Sequence, residues 1–538
     1  MPSVAIFGGG ISGLTCAHIL VKQGFHVTIY ESENILGGMA RSRREKDTNI
    51  PTEHSWRGYA PFYRNFFHMA KQIPTTHNNT VFDNLSDPVT FHMLNNSAPL
   101  TNNSVKHKKR KGNISLPISY LFSKAILSDE RDKDTKFHTA LAPILEKKLS
   151  KDEYDFFINF MMGPGWGMDK DTASIGHYAK FLEYSLFQSD GKTKWQVMRM
   201  PTNEAWFDHW ETALRAQGVE FRFDTQLTQV NVNDGTIQNC IINKFYTITA
   251  DEYIFAINPF NLEDILQQSP SVPKSIKTDH VMSNKLSYYE MIAFTISFTK
   301  KIDLDPGGVN PAYILVDGPL NITFYPQEAV WNPDVDLGNG VKSLWSGTCI
   351  MTHRDTSVSD TNRGYRGKKK AINLTIEELE KEIIREILES PMIREKVSSD
   401  DMTIKIWYEW ENKNGTLVPK YKKYANNIYN QDHRLLQTTM IPNMYIGGAH
   451  TKTSIDIWSM EGAVESGILV SNNILEKYGL PKEPIYVHKS TPGIISIIKN
   501  TDNYLYRMGL PHVVDVILLI ILLIIILIIV LLVIKLYK

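Results

Sequence analysis

The first 31 residues alternate between apolar runs and glycine-rich turns. Residues 4–7 form a short apolar run that is suited to a buried parallel strand. Residues 12–23 carry apolar side chains at helical spacing, and Gly24 ends that pattern. Residues 26–30 alternate into a second strand, and Glu31 stands at its end. The pattern predicts a strand, a helix and a second strand in that order.

Similar patterns recur later in the chain. Residues 200–216 lead into a helix, and residues 218–232 then continue with strand patterns. Residues 251–256 form another buried strand. Residues 375–389 form an amphipathic helix, whose first turn begins with a capping box at Thr375. We interpret the apolar face of this helix as core packing.

The C-terminal end is apolar on every face. Every residue from 516 to 534 is Val, Ile or Leu. As a helix this run is roughly 28 Å long, which matches the hydrocarbon thickness of a bilayer. A buried core helix rarely stays apolar on all faces for such a length. We therefore predict a single transmembrane tail anchor over residues 513–535, with the catalytic part of the chain in the cytosol.

A connector of residues 478–512 precedes the apolar run and contains several prolines. Within it, residues 493–506 carry Ile, Tyr and Leu among a few charges. This stretch could lie on the bilayer surface or pack on the catalytic domain. The sequence leaves both arrangements open.

Composition and charge exclude several kinds of partner. The 58 Lys and Arg residues equal the 58 Asp and Glu residues, so no basic excess points to nucleic acid. The cysteines Cys16, Cys240 and Cys349 are far apart and none lies in a CxxC pair. Their spacing argues against a disulfide framework and against a metal site, and it favours a reducing compartment.

A dinucleotide fingerprint joins the first strand to the first helix. Residues 8–13 fit the pattern G-x-G-x-x-G. In such a turn Gly8 permits the tight bend, and Gly10 lets the backbone approach a pyrophosphate. Gly13 lets the helix pack closely on the strand.

The residues around this fingerprint complete a nucleotide site. Ile11 and Ser12 open the helix, whose free N–H groups would face the phosphates. Glu31 lies at the offset expected for a carboxylate that binds the ribose hydroxyls. A carboxylate there disfavours a 2′-phosphate, so NADP is excluded as the preferred cofactor.

The residues that follow Glu31 resemble the extended FAD fingerprint of the flavin amine oxidase and phytoene desaturase superfamily. In that superfamily a Gly-Gly pair and a basic residue follow the acid, and Gly37, Gly38 and Arg41 match them. Arg41 lies two positions later than the basic residue of the amine oxidases. The resemblance implies an FAD cofactor, with Arg41 balancing the pyrophosphate charge.

The C-terminal part carries an independent match to the same superfamily. Residues 443–451 resemble its closing strand and turn, and residues 459–467 resemble the helix that follows. The resemblance implies that Gly448 and the backbone at Met460 and Glu461 meet the flavin. The covalent-flavin cysteine of some amine oxidases has no counterpart between Gly448 and Ser459, so the FAD should be noncovalent.

A third segment that resembles the superfamily lies between these two. At one position the chain departs from the superfamily's pattern. The resemblance implies that the backbone at Leu227 contacts the adenine. The superfamily usually has Glu or Asp where this chain has Ala449. His450 and Thr451 are possible substitutes for that acid, although an ordinary loop histidine would also fit the pattern.

The predicted fold class is α/β. A Rossmann-like FAD-binding domain is interleaved with a mixed sheet-plus-helix substrate domain, and one C-terminal transmembrane helix follows. The predicted segments are the first part of the FAD-binding domain (1–75), an insertion with a helical part of the substrate domain (76–195), the second FAD-binding part (196–260), the substrate domain (261–430), the third FAD-binding part (431–477), the connector (478–512) and the anchor (513–535).

Catalytic residues are hard to read in such a chain, because flavin dehydrogenation asks little of side chains. Glu53 and His54 lie where the superfamily passes near the flavin ring, so they could bind the ring or act as acid/base groups. A purely structural role is the competing interpretation. The turn-rich residues 163–167 could line the substrate pocket or form a plain helix–helix turn. The basic run 106–111 could bind anionic lipid or be a solvated loop.

These observations predict an FAD-dependent oxidoreductase, similar to amine oxidases, that removes two electrons from a small or lipophilic substrate. An isoprenoid or carotenoid desaturase is the alternative within the superfamily. A membrane-bound flavoprotein scaffold without turnover is the alternative outside enzymes, and only Ala449 supports it.

Overall fold

The computed structural model describes residues 2–53, 57–76, 78–94, 116–128, 130–131, 172–187, 195–285, 288–289, 291–304, 310–315, 320–350, 374–406, 410–414, 416–488 and 493–537. In chain order its strands are β1 (Ser3–Phe7), β2 (His26–Tyr30), β3 (Ser42–Arg44), β4 (Pro51–Glu53), β5 (Thr90–Leu94), β6 (Glu220–Arg222), β7 (Leu227–Asn233), β8 (Thr236–Ile242), β9 (Tyr246–Ile248), β10 (Glu252–Phe255), β11 (Tyr288–Tyr289), β12 (Met291–Phe298), β13 (Pro311–Leu315), β14 (Thr323–Pro326), β15 (Ser343–Ile350), β16 (Thr403–Ile406), β17 (Trp410–Lys413), β18 (Thr416–Pro419), β19 (Lys423–Tyr424) and β20 (Met444–Ile446).

The α-helices are named in the same way. They are α1 (Ile11–Lys22), α2 (Arg64–Ala70), α3 (Leu116–Ile126), α4 (Ile175–Phe187), α5 (Asp208–Ala216), α6 (Pro259–Gln267), α7 (Lys274–Asn284), α8 (Ile376–Glu389), α9 (Pro391–Arg394), α10 (Met460–Lys477), α11 (Gly493–Arg507) and α12 (Val513–Leu536).

A five-stranded parallel sheet forms the nucleotide-binding half of the molecule. Its order is β20-β10-β1-β2-β6, and every neighbouring pair is parallel. Ile6 pairs with Ile29 on one side and with Ile254 on the other. All three isoleucines are fully buried, as expected for a parallel sheet that is covered on both faces. The strands come from three separate stretches of the chain.

A six-stranded mixed sheet forms the second half. Its order is β16-β12-β15-β14-β13-β5, with only β13 and β5 parallel among its pairs. Helix α8 covers this sheet with Leu379, Ile383 and Ile387, which join its apolar cluster. The capping box that the sequence predicts is present, since the Thr375 side chain accepts from the Glu378 N–H. The predicted α/β class, with a mixed sheet interleaved between segments of a Rossmann-like sheet, is confirmed.

Helices α1 and α10 pack against each other beside the parallel sheet. A Cβ on Gly467 would lie 2.6 Å from the Thr15 Cβ and 2.8 Å from the Ser12 carbonyl oxygen. Only glycine therefore fits at this crossing. The close approach brings the N-terminus of α10 to the same side of the sheet as the N-terminus of α1.

Helix α12 is the apolar C-terminal helix that the sequence predicts. It spans 24 residues with a mean hydropathy of 4.2, and the apolar stretch is exposed over its whole length. In the described part of the chain it is the one helix long and apolar enough to cross a membrane. Helix α11 precedes it, so the stretch 493–506 of the connector is helical.

We expect Gly467→Ala to lower the thermal midpoint of the full chain in detergent. The added methyl group would overpack the α1–α10 crossing, at a cost of about 1–3 kcal/mol. Gly493→Ala is the matched control, because a Cβ there meets no atom within 4 Å. Equal midpoints for the two variants would contradict the close packing.

Candidate active site

A cavity of about 400 Å³ opens at the carboxyl ends of the parallel strands. Phe7, Tyr30 and Ala256 line it where β1, β2 and β10 end, and Gly448 lines it after β20. Ligands of open α/β sheets bind at this edge, because the loops that follow the strands meet there.

Most of the predicted cofactor-binding residues lie on the wall of this cavity. They are Gly8, Gly10, Ile11, Ser12, Glu31, Gly37, Gly38, Arg41, Leu227, Gly448 and Met460. Of the other predicted site residues, Gly13, Glu53 and Glu461 do not line it. His54 and the stretches 106–111 and 163–167 lie outside the described residues.

The three fingerprint glycines have different surroundings. Gly8 has φ +108°, and a Cβ there would lie 2.4 Å from the Ala256 carbonyl oxygen. A Cβ on Gly13 would lie 2.1 Å from the Gly8 carbonyl oxygen. A Cβ on Gly10 would meet only the Gly38 Cα, at 3.7 Å. Gly8 and Gly13 are therefore required by protein packing, whereas the space beside Gly10 is the cavity.

The Glu31 side chain is hydrogen-bonded to the fingerprint turn. Its carboxylate accepts from the Gly9 N–H at 2.7 Å, from the Glu33 N–H at 2.9 Å and from the Ser32 hydroxyl at 3.1 Å. Burial raises the pKa of Glu31, and the N–H donors of Glu33 and Gly9 oppose that shift. The side chain therefore links the end of β2 to the turn after β1, and it is held against the cavity.

Two arginines add positive charge to the cavity wall. The Arg41 guanidinium donates to the Gly38 carbonyl at 2.8 Å and lies 5.5 Å from the centre of the Tyr421 ring. Arg57 donates to the Arg41 carbonyl at 3.0 Å and also lines the cavity. The sequence analysis did not assign a role to Arg57, because its approach to Arg41 depends on tertiary contacts.

Glu53 lies behind Arg57, away from the cavity. Its carboxylate forms a buried ion pair with Arg57 and accepts from the Thr202 N–H at 2.7 Å. Burial raises the pKa of Glu53, and the charge of Arg57 is the main opposing effect. In this position Glu53 can orient Arg57, and an acid/base role for it remains a prediction.

The N-terminus of α10 points into the cavity through its backbone. The Ser459 hydroxyl caps it by accepting from the Gly462 N–H at 3.1 Å, and Ser459 and Met460 both line the cavity. The Glu461 carboxylate turns away. It accepts from the Phe66 N–H at 2.8 Å and lies 2.8 Å from His488 Nε2. Glu461 therefore anchors the start of α10 to α2 and to the connector.

Arg434 holds the turn that follows β20. Its guanidinium donates to the Ala449 carbonyl at 3.0 Å, also donates to the Thr451 carbonyl, and forms a buried ion pair with Asp456. Arg434 thus fixes the backbone at the position where the superfamily's usual acid is replaced by Ala449. Nothing in the local sequence marks this arginine, because its partners lie 15 to 22 positions away.

His450 is a neutral, buried ring on the cavity wall. Burial lowers the pKa of His450 to about 3, with further contributions from His280 and Arg434. Its Nε2 atom, like the Ser12 hydroxyl, has no hydrogen-bond partner within the described part of the structure. Buried polar atoms usually have partners, so these two fit a ligand that supplies hydrogen-bonding groups.

Several aromatic and apolar side chains line the cavity beyond the fingerprint, and the sequence analysis did not identify them. The Tyr424 ring lies 5.3 Å from the Trp458 ring and 6.0 Å from the His450 ring. The Lys423 ammonium donates to the Met291 carbonyl at 3.2 Å. These residues come from β12, β19 and the loop before α10, so only the tertiary fold brings them together.

No group of three or more His, Cys, Asp or Glu side chains among the described residues could hold a metal ion.

Solved structures with the same fold are known. The chain matches an oxidoreductase from Methanosarcina mazei with a TM-score of 0.56 and 13% identity, over 86% of this chain and 98% of that one. It matches putrescine oxidase bound to putrescine with a TM-score of 0.60 and 12% identity, over 88% of this chain and 99% of that one. At these identities the likeness establishes the fold.

A sequence match to a curated protein covers a short stretch of the chain. The carotenoid phi-ring synthase of Streptomyces griseus is 37% identical over 68 residues, which is 13% of this chain and 13% of that protein. The chain therefore matches only a small part of that relative.

The family model of flavin-containing amine oxidoreductases covers residues 11–475. This range includes all the strands of the parallel sheet except β1, both helix N-termini at the cavity and the whole mixed sheet. The predictions of an oxidoreductase and of this superfamily are confirmed. The chain belongs to the family of flavin-containing amine oxidoreductases.

Proposed function

We propose that the cavity binds FAD noncovalently and that the protein dehydrogenates a small or lipophilic substrate by two-electron transfer. The open space beside Gly10, in a turn where packing requires glycine at Gly8 and Gly13, carries this proposal. A helix N-terminus with that space in front of it suits a pyrophosphate. The second helix N-terminus, at Met460, suits a flavin ring, which accumulates negative charge on reduction.

The other residues of the wall would each bind a different part of the cofactor. Glu31 would bind the ribose hydroxyls and the backbone at Leu227 the adenine. Arg41 would balance the charge of the pyrophosphate, and Gly37 and Gly38 would help to hold it. Ser12 and His450 would supply hydrogen bonds from atoms that lack partners within the described structure. A wall that serves both an adenosine half and a ring system favours FAD over a mononucleotide flavin.

Bound flavin supplies a hydride acceptor at its N5 atom. The protein's contribution is then to orient the substrate and to exclude water. Met291, Tyr424 and Trp458 give the cavity an apolar surface for this purpose. Neutral His450 can share a proton or accept a hydrogen bond without adding charge, since its pKa is lowered to about 3.

The charges in the cavity favour a neutral, lipophilic substrate. Among the described lining residues the carboxylates are Glu31 and Glu33. Glu31 is held by the Gly9 N–H of the fingerprint, and Glu33 is held by the Tyr421 hydroxyl and the Arg43 guanidinium. The part lined by Tyr424 and Trp458 carries the cation of Lys423 instead. Among the described residues of that part, a cationic amine would find no counter-charge, whereas an isoprenoid-like substrate needs none.

A carotenoid or isoprenoid desaturase is the second candidate, and the short match to carotenoid phi-ring synthase favours it. An oxidase should release hydrogen peroxide when its reduced flavin meets oxygen. A desaturase should instead need a quinone or another acceptor. A scaffold without turnover has less support, because Arg434 fixes the turn at Ala449 from outside the cavity.

We further propose that α12 anchors the protein in a membrane, with the catalytic part in the cytosol. The helix is apolar and exposed from Ile517 to Ile534, and a surface of that kind is stable in lipid rather than in water. The exposed position of Lys535, near its C-terminal end, suits the polar headgroup region.

The flavin proposal is tested with the purified full chain and two glycine variants. The wild-type protein should be yellow, and heat should release FAD into the supernatant. Gly10→Val should fold but purify without flavin, because its side chain would fill the space beside the fingerprint. Gly13→Val should fail to fold, because its Cβ would overlap the Gly8 carbonyl. Chromatography of the supernatant and circular dichroism separate these outcomes, and a yellow Gly10→Val protein would contradict the assignment.

Arg434→Met should lower the free energy of unfolding by about 1–3 kcal/mol, because it leaves the Ala449 and Thr451 carbonyls without their donor, while Asp456 keeps Lys180 as its second partner. Flavin retention should also fall, since the turn at Ala449 loses its support. Arg222→Met is the matched control, because the Arg222–Glu220 pair is exposed and should contribute within about 1 kcal/mol. Chemical unfolding and the flavin-to-protein ratio measure the two effects. Similar results for both variants would show that Arg434 does not support the site.

The anchor is tested by carbonate extraction of membranes from cells that express the full chain. The wild-type protein should stay in the pellet, and protease added to sealed membranes should digest its catalytic part. Ile526→Arg should weaken insertion by about 2.5–3.5 kcal/mol and shift protein to the supernatant. Phe245→Arg, an exposed apolar position in a hairpin, should behave as wild type. Wild-type protein in the supernatant would show that α12 is no anchor.

A further inference from the structure

Helix α11 carries charged side chains on its buried face and large apolar side chains on its exposed face. Two of its three charged residues, Lys499 and Asp502, are 4% and 0% exposed, and the third, Arg507, is exposed at its C-terminal end. Its apolar residues Ile494, Ile497 and Tyr504 are 69%, 65% and 63% exposed. Surface helices of soluble domains direct their apolar stripe to the core and their charges to water. A second environment that is not water would explain this inversion.

The inner face of α11 is fixed to the catalytic part by ion pairs. The Lys499 ammonium lies 3.1 Å from the Glu183 carboxylate on α4. The Asp502 carboxylate lies 3.2 Å from the Arg131 guanidinium. Both pairs are buried, so the helix cannot rotate its charges outwards without breaking them. The orientation of the apolar face is therefore set by the fold.

The outer face forms one stripe along the helix. Ile494, Ile497 and Tyr504 follow the spacing of three and four residues, with Thr501 completing the row. Met508, 56% exposed, continues the row just beyond the end of α11. Such a stripe of large apolar side chains is the pattern of a helix that lies in the plane of a membrane surface.

The stripe is also continuous with α12. Residues 508–512 separate the two helices and can span at most about 18 Å. The junction is fixed, because Asp502 accepts from the Val513 N–H at 2.9 Å and Arg131 donates to the Leu510 carbonyl at 2.7 Å. Asp515, in the first turn of α12, accepts from the Tyr120 hydroxyl at 2.6 Å. Wherever α12 enters a bilayer, α11 must lie close to that point.

We propose that the outer face of α11 lies in the headgroup region of the same membrane that α12 spans. The partner of this surface is therefore lipid. The catalytic part then has one fixed orientation on the bilayer, instead of being attached to it through a flexible linker. This inference rests on the proposed membrane anchoring by α12. A second copy of the chain or another protein could also cover an apolar stripe, but neither would explain why it adjoins the anchor helix.

The test measures the depth of single fluorescent labels in vesicles that contain the full-length protein. A cysteine for labelling is introduced by Ile497→Cys on the stripe, by Leu523→Cys within α12, or by Phe245→Cys as a distant exposed apolar control. The native cysteines are fully buried and should not react in the folded protein. The probe lipids are phosphatidylcholines that carry bromine, a contact quencher, either near the headgroup or midway along the acyl chain.

The label at Ile497→Cys should lose most of its emission with the shallow-brominated lipid and shift to shorter wavelength. Helices in the membrane plane are buried about 5–10 Å into the boundary, so the mid-chain lipid should quench it less. The label at Leu523→Cys should show the opposite depth preference. The label at Phe245→Cys should be quenched by neither lipid.

The two proposals fail in different ways. A quenched Leu523→Cys label with an unquenched, water-exposed Ile497→Cys label would overturn the α11 inference and leave the anchor standing. An Ile497→Cys label that is shielded from water but unquenched by both lipids would mean that protein covers the stripe, which also overturns the inference. If the Leu523→Cys label is not quenched either, the membrane anchoring itself is wrong.

Discussion

The close approach of α1 to β1 is the constraint on which the site depends. The Gly8 carbonyl occupies the place where a side chain at residue 13 would begin, so the helix lies directly against the strand end. Helix α10 then packs on α1 through Gly467, again without room for a Cβ. These two contacts bring two helix N-termini to one cavity. Each N-terminus presents N–H groups that no helix carbonyl can bind, which is why the cavity suits a cofactor with negative charge at two places.

Charged groups around the cavity are mostly used for support. Glu53 orients Arg57, Glu461 fixes the start of α10, and Arg434 holds the turn at Ala449. Each is buried and has several hydrogen-bond partners, as burial of a charge requires. The wall of the cavity itself consists mainly of backbone groups and of apolar and aromatic side chains, and its charged side chains are the carboxylates and cations described above. Such a wall supplies position and a dry surface, which is what flavin chemistry needs from a protein.

Buried charges also have a supporting role at the C-terminal helices. The ion pairs of Lys499 and Asp502 fix α11 on the catalytic part, and Ile494 and Ile497 then face outward. In water these exposed apolar side chains would be unfavourable. Beside the membrane anchor that we propose for α12, they would provide a second contact with lipid. The buried charges thus act on one side of α11 to orient the apolar stripe on the other.

Elements with a local signal could be predicted from the amino-acid sequence alone. The strand, glycine turn and helix at residues 4–23, the capped helix α8 and the apolar helix α12 each depend on side chains within a few positions of one another. Gly10 and Gly13 could be assigned from the spacing of the fingerprint, and at Gly13 the Gly8 carbonyl leaves room for glycine alone. Contacts between side chains that are far apart in the chain could be identified only from the folded structure. It placed Glu53 and the carboxylate of Glu461 outside the cavity, brought Tyr424 and Trp458 to its wall, and turned the charges of α11 inward. Those outcomes depend on contacts between elements hundreds of residues apart, for which no periodicity or spacing in the chain gives a signal.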